Sequence, residues 1–370
     1  MAGHPAAAAP SRSRRIARIL ALNVLVFIAL LVLVEGLSSG LLLVQDLAAL
    51  HVPPYRRHTN YDAELGWVDK PNVHIPDLYG PGLSFTTNSA GFRNKREFVL
   101  HVPNGTTRVV CTGDSFTLGV GVDDDQTWCS LLMVLDPGIE AVNMGQPGYG
   151  VDQSYLFYKR AGAKIDHDAH VFALIGADVD RMLSAQFQGY DKPRLDVENG
   201  AIVVRNVPVP RRSYVFPWLT DRKAIFNSLR AAELARRLLH RAGAQPSAPV
   251  TLAAPEHASG KTSELLRLLL LDLKRLNRER GSTLVVVYLP ALSDFDPGAS
   301  GGWLETMRDE ARAADVRFVD VLGRFRALPR AEALGMFILP GQGTYPGVNH
   351  LNPSGNAFVA KVIDEELKRR

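Results

Sequence analysis

The stretch RVVCTGDSFTLGVG, residues 108–121, decides how this chain folds. Its first half is a short apolar, β-branched run closed by Gly113, the pattern of a strand buried on both faces. Ser115 then stands in the turn that leads toward the next helix. A serine there presents its hydroxyl at the sheet edge, and its own backbone N–H can point at a developing oxyanion. Alone, Gly113-Asp114-Ser115 is equally the signature of a structural turn.

Four further runs repeat the first: IEAVNMG (139–145), HVFALIG (170–176), TLVVVYLP (283–290) and VRFVDVL (316–322). Helical patterns separate them, over 126–135, 150–163, 261–280, 302–314 and 354–369. In the third of these, Leu265, Leu268, Leu269, Leu273 and Leu276 recur at helical spacing. Nearly continuous apolar strands alternating with helices predict a doubly wound α/β domain with a five-stranded parallel sheet, whose active residues gather at the carboxyl ends of the strands.

The chain has 370 residues, a net charge of +4 and 46% hydrophobic content, enough for a substantial core. The excess charge is local. Arg12, Arg14, Arg15 and Arg18 account for all of it, so residues 19–370 are neutral and nothing electrostatic recommends a nucleic-acid partner. Those arginines precede ILALNVLVFIALLVLV (19–34), an uncharged apolar stretch that predicts a transmembrane helix over 19–44 with its N-terminal side in the cytoplasm. The absence of a clear small-x-small cleavage site favours an uncleaved anchor over a cleaved secretory signal, and either delivers the remainder outside the cytoplasm. The expected organisation is a basic N-terminus (1–18), the anchor (19–44), a proline-rich stalk and irregular segment (45–84), and the α/β domain (85–370). An insertion at about 180–260, including a helix at 221–242, is either a lid beside the active edge or a surface excursion.

Three elements carry chemistry: GDSFTLGVGV (113–122), NMGQPGYG (143–150) and NHLNPSGN (349–356), each where the α/β pattern places a strand end or the start of the last helix. They resemble the SGNH/GDSL hydrolases, specifically the membrane-anchored bacterial type, over about residues 85–370. The resemblance implies a flavodoxin-like three-layer α/β/α fold, Ser115 as nucleophile, His350 as general base, and the backbone N–H groups of Ser115 and Gly148 as oxyanion donors. It implies no metal or cofactor, and a small-molecule or glycan ester as substrate. Gly145 is the alternative glycine for the second donor.

Two positions depart from that pattern. Where the family carries an asparagine as a further oxyanion donor, this chain has Gly176-Ala177-Asp178, and where an aspartate stands three residues before the histidine, position 347 is glycine. Asp178 is the natural replacement: aimed at His350 it would orient the imidazole, whereas aimed at the oxyanion it would oppose catalysis. The readings are therefore a membrane-tethered, extracytoplasmic serine esterase or O-acyl-transfer enzyme and, alternatively, a catalytically inactive binding domain of the cell envelope.

Other motifs are weaker. His167 and His170 lack further ligands for a metal, Asp123, Asp124 and Asp125 fit the start of the following helix better than calcium, and no dinucleotide fingerprint or P-loop is complete. Cys111 and Cys129 form either a single disulfide or two buried thiols.

Overall fold

Five parallel strands form the centre of the protein: β1 (Thr107–Thr112), β2 (Ile139–Asn143), β3 (Ala169–Leu174), β4 (Thr283–Tyr288) and β5 (Arg317–Asp320). Their order across the sheet is β2-β1-β3-β4-β5, all pairings parallel. This is the flavodoxin-like order, and the expected five-stranded α/β fold is present. β3 is buried along its whole length, and β1 and β4 everywhere except their first residue, because helices cover both faces of a parallel sheet.

The computed structural model describes residues 12–48, 57–188, 190–210, 229–231, 234, 235, 238, 260–296, 302–339, 341, 342 and 347–369. Around the sheet lie α1 (Trp128–Leu135), α2 (Val151–Arg160), α3 (Gly176–Met182), α4 (Gly260–Arg278), α5 (Leu304–Ala313) and α6 (Pro353–Lys368). In α4 the buried stripe is Leu265, Leu266, Leu269, Leu270 and Leu273; Leu266 and Leu270 take the place expected of Leu268 and Leu276, which lie at the edge of the contact. Cys111 and Cys129 are free, buried thiols, and burial raises the Cys111 pKa.

The chain divides into two compact units, Met1–His51 with Arg212–Thr251, and Val52–Arg211 with Leu252–Arg370. In the first, residues Arg12–Ala48 form one helix, long and apolar enough to cross a membrane. At 1.5 Å per residue it spans about 55 Å, against about 30 Å of hydrocarbon. Glu35 on this helix accepts the backbone N–H groups of Arg230 and Ala231, an N-terminal cap for the turn that begins there. The remainder of the expected 221–242 helix lies almost wholly outside the described residues, as do 211–228 and 239–259 of the insertion.

In the second unit, the described part of the expected stalk and irregular segment (45–84), together with the first residues of the expected domain, contains two small antiparallel pairs, Thr59–Asp62 with Gly66–Asp69 and His74–Ile75 with Phe85–Thr86. They dock on the loop after β2: Trp67 Nε1 donates to Pro147 O, Tyr149 Oη to Trp67 O, and Asp69 N to Gln146 Oε1. The insertion opens with Gln186–Phe187 paired to Tyr190–Asp191, followed by the hairpin Arg194–Glu198 and Ala201–Arg205.

Candidate active site

β1 is the point where the chain reverses its direction across the sheet, since β2 lies on one side of it and β3 on the other. The crevice beyond the carboxyl ends of β1 and β3 is where such folds bind ligands. Here it is a cleft of about 580 Å³, of the size that takes a small molecule. Ser115, Gly148, Arg181 and His350 line it, with aromatic walls from Trp67, Phe116 and Tyr190.

Ser115 begins one helical turn, Ser115–Leu118, capped by Asp114, whose side chain accepts the N–H of Phe116. The sequence can make this tight turn because Gly113 has φ +158°, and a Cβ there would stand 2.6 Å from Ala173 O. Only glycine lets β1 pass so close to β3 and release the chain upward. A buried guanidinium then pins the next loop: Arg93 donates to the carbonyls of Ser84, Leu118, Gly119 and Val122 and to Asp124. Asp124 and Asp123 also accept the N–H groups of Thr86 and Ser84, so these carboxylates staple the hairpin of residues 74–86 to the site.

His350 arrives from the other end of the chain, 235 residues away in sequence, and its Nε2 lies 2.8 Å from Ser115 Oγ. Its segment is held by Ile338 N donating to His350 O and by Asn352, whose Oδ1 caps α6 by accepting the N–H of Gly355 and whose Nδ2 donates to Gly335 O. Asn356 in turn accepts the N–H of Trp128, tying α6 to α1. Burial holds His350 below the ordinary imidazole pKa, against the opposing pull of the Asp114 carboxylate. The ring is therefore neutral near pH 7, the form that can accept a proton.

The second ring nitrogen, Nδ1, is buried and has no hydrogen-bond partner among the described residues. The carbonyls of Val348 and Gly347 favour its protonated form, yet neither meets hydrogen-bonding geometry. Asp178 does not reach it either. That residue is in the first turn of α3, an element absent from the expected helices; its Oδ2 accepts the N–H of Ile175 and its Oδ1 pairs with Arg181. Capping and ion pairing consume the carboxylate, so the structure does not place it as the orienting acid. Burial, then the Asp114 charge, raises the Asp178 pKa.

The two candidate glycines differ. Gly145 N donates to Asn143 Oδ1, which consumes its N–H. The N–H of Gly148 has no acceptor among the described residues, nor has that of Ser115, and Gly148 lines the cleft with φ +69°.

Two groups were not legible as site residues in the sequence. Arg181 donates through Nη1 to Asp114, Tyr149 O and Asp178; its i, i+4 relation to Ala177 was the available signal, had α3 been recognised. His58 lines the cleft and its Nδ1 lies 2.7 Å from the buried Asp69 carboxylate, a pairing that only the docked hairpin creates. The two histidines weighed as metal ligands are structural: His167 meets Tyr158 Oη and Asn277 Oδ1, while His170 sits between Thr112 Oγ1 and Asn277 Nδ2.

No family model and no curated protein matches the sequence. Among solved structures, the chain is similar to a lipolytic protein of the G-D-S-L family from Veillonella parvula, at 14% identity over 72% of this chain and 100% of that one, with a TM-score of 0.35. It is similar to an acetyl xylan esterase at 13%, 70%, 99% and 0.36, and to a lipase/acylhydrolase from Enterococcus faecalis at 14%, 71%, 96% and 0.34 by the same measures.

Proposed function

We propose that this chain is an SGNH/GDSL-type serine esterase that works through an acyl-enzyme, tethered by its N-terminal helix to the plasma membrane with its catalytic domain outside the cytoplasm. The single observation that carries the catalytic reading is the 2.8 Å contact between Ser115 Oγ and His350 Nε2 at the topological switch point. Ser115 attacks the acyl carbon of an ester, and its proton passes to His350 Nε2. The tetrahedral oxyanion sits on the N–H groups of Ser115 and Gly148; collapse expels the alcohol, which takes the proton from His350. Water then releases the acid, whereas a sugar hydroxyl in its place makes the reaction an O-acyl transfer.

That Nδ1 of His350 meets no hydrogen-bond partner among the described residues favours the second reading, an inactive binding domain, because losing the orienting acid costs about 10⁴ in rate in other serine enzymes. One experiment separates the two and also tests the tether. Membranes from cells making the full chain are washed with alkaline carbonate and treated with a fluorophosphonate. Label on the wild type, absent from Ser115→Ala and retained in the pellet, supports the tethered esterase. An unlabelled but folded wild type supports the binding domain, and label in the supernatant removes the tether.

A further inference from the structure

Half of the Arg181 guanidinium is spoken for, and half is not. Nη1 donates to Asp114 Oδ2 at 3.0 Å, to Tyr149 O at 3.1 Å and to Asp178 Oδ1 at 2.5 Å. Nε and Nη2 make no hydrogen bond to any described residue, and the side chain is 17% exposed, on the cleft. Two of the Nη1 partners fix its place. Asp114 immediately precedes Ser115 and Tyr149 immediately follows Gly148, so the guanidinium is tied to the chain beside both amides that converge on the oxyanion. The Phe187 ring lies 5.0 Å from its Cζ and packs against Gly148 as well, which fixes the plane of the fork. Ala177, one turn earlier on the same face of α3, also lines the cleft.

We infer that Arg181 is a further catalytic residue, donating from Nε–H and Nη2–H to the oxyanion alongside the amides of Ser115 and Gly148. The inference rests on the serine-esterase reading. In the step it serves, the bond from Ser115 Oγ to the acyl carbon forms, the carbonyl π pair moves onto oxygen, and the Ser115 proton goes to His350 Nε2. A fixed cation in a largely buried site stabilises the alkoxide that develops more than the neutral carbonyl before it, so its effect falls on kcat. The same group answers a difficulty of this site: Asp114 and Asp178 would repel an oxyanion, and Nη1 pairs with both while Nε and Nη2 keep their donors for the cleft that Arg181 lines.

Arg181→Lys tests this, because an ammonium can still pair with the two buried carboxylates but leaves the cleft without the fork. With p-nitrophenyl acetate, kcat is expected to fall about 10²-fold, the usual effect of removing an oxyanion donor, with KM within about threefold. Ala177→Asn in the Arg181→Lys background, which brings an amide in from the adjacent turn, is expected to recover about tenfold of that loss. A folded Arg181→Lys with kcat within threefold of the wild type, or with a loss confined to KM, overturns the inference and leaves the esterase reading standing. A crystal structure of the wild-type Ser115 phosphonate adduct gives the answer without any variant. The phosphoryl oxygen is expected within about 3.2 Å of Arg181 Nε or Nη2, and an oxygen bonded only to backbone amides overturns the assignment. A wild-type protein that neither hydrolyses the ester nor forms the adduct removes both readings together.

Discussion

Replacing Gly148 with alanine puts the proposed oxyanion site under a measurable strain. Gly148 has φ +69°, and a Cβ there would lie 2.4 Å from Phe187 Cε1 and 2.9 Å from Cδ1. Ordinary carbon contacts begin near 3.5 Å, so ring and loop must part by about 1 Å. The ring cannot retreat freely, since it stacks toward Trp67 at 6.4 Å and lies beneath Arg181. The loop therefore moves and takes the Gly148 N–H with it. A misplacement of about 1 Å costs about 10²-fold in rate, and complete loss of a donor costs about 10² to 10³. The left-handed backbone adds about 1–2 kcal/mol of destabilisation.

Gly200→Ala is the matched control. Its φ is +73°, but nothing lies within 4 Å of the added methyl, so it carries the backbone cost alone. Steady-state hydrolysis of p-nitrophenyl acetate, with urea unfolding of the same preparations, reads both effects. Gly148→Ala is expected to lose about 10²-fold in kcat, and Gly200→Ala to keep wild-type kcat with a similar backbone cost in stability. Equal kcat in the two variants refutes the placement of the donor at Gly148.

Because burial lowers the His350 pKa and the neutral ring is the base, kcat/KM is expected to rise with pH through an inflection below 6.5 and then level off; an inflection above 6.5 contradicts the assignment. Stability changes in the same direction for a separate reason. His170 is held well below 6.5 by burial, so below that pH the unfolded chain binds more protons than the folded one. Stability is therefore retained above pH 6.5 and falls as the pH drops toward the folded-state value, a dependence that urea midpoints measured between pH 5 and 7 report and that His170→Asn should flatten. Arg93→Met leaves Asp124 buried without its cation and removes the guanidinium donor from four carbonyls, of which Gly119 O keeps the N–H of Val122. The expected loss is at least about 3–5 kcal/mol, and a loss under about 1 kcal/mol in urea unfolding would show that water replaces the guanidinium.

The strands were legible because burial on both faces leaves a local mark, an unbroken apolar run, at Val109–Cys111 and Val285–Tyr288. Ser115 and His350 were legible for a related reason: each sits where a strand or helix begins or ends, and glycine, proline and capping residues record such places in the chain itself. α3 was missed because seven residues, opening with Gly176 and carrying three charges, leave too short a periodicity to see.

What the sequence by itself determined is thus the doubly wound sheet, the apolar N-terminal helix, and the serine and histidine at its carboxyl edge, all written in local patterns of polarity and turn chemistry. Only the tertiary structure decided that Gly148 and not Gly145 keeps an N–H with no acceptor among the described residues, that Asp178 turns to Arg181 instead of His350, and that a hairpin from residues 57–69 brings His58 to the cleft wall with Asp69 buried behind it. Each of these depends on which donor meets which acceptor across distant segments, and hydrogen-bond partners separated by tens of residues leave no periodic trace in the chain.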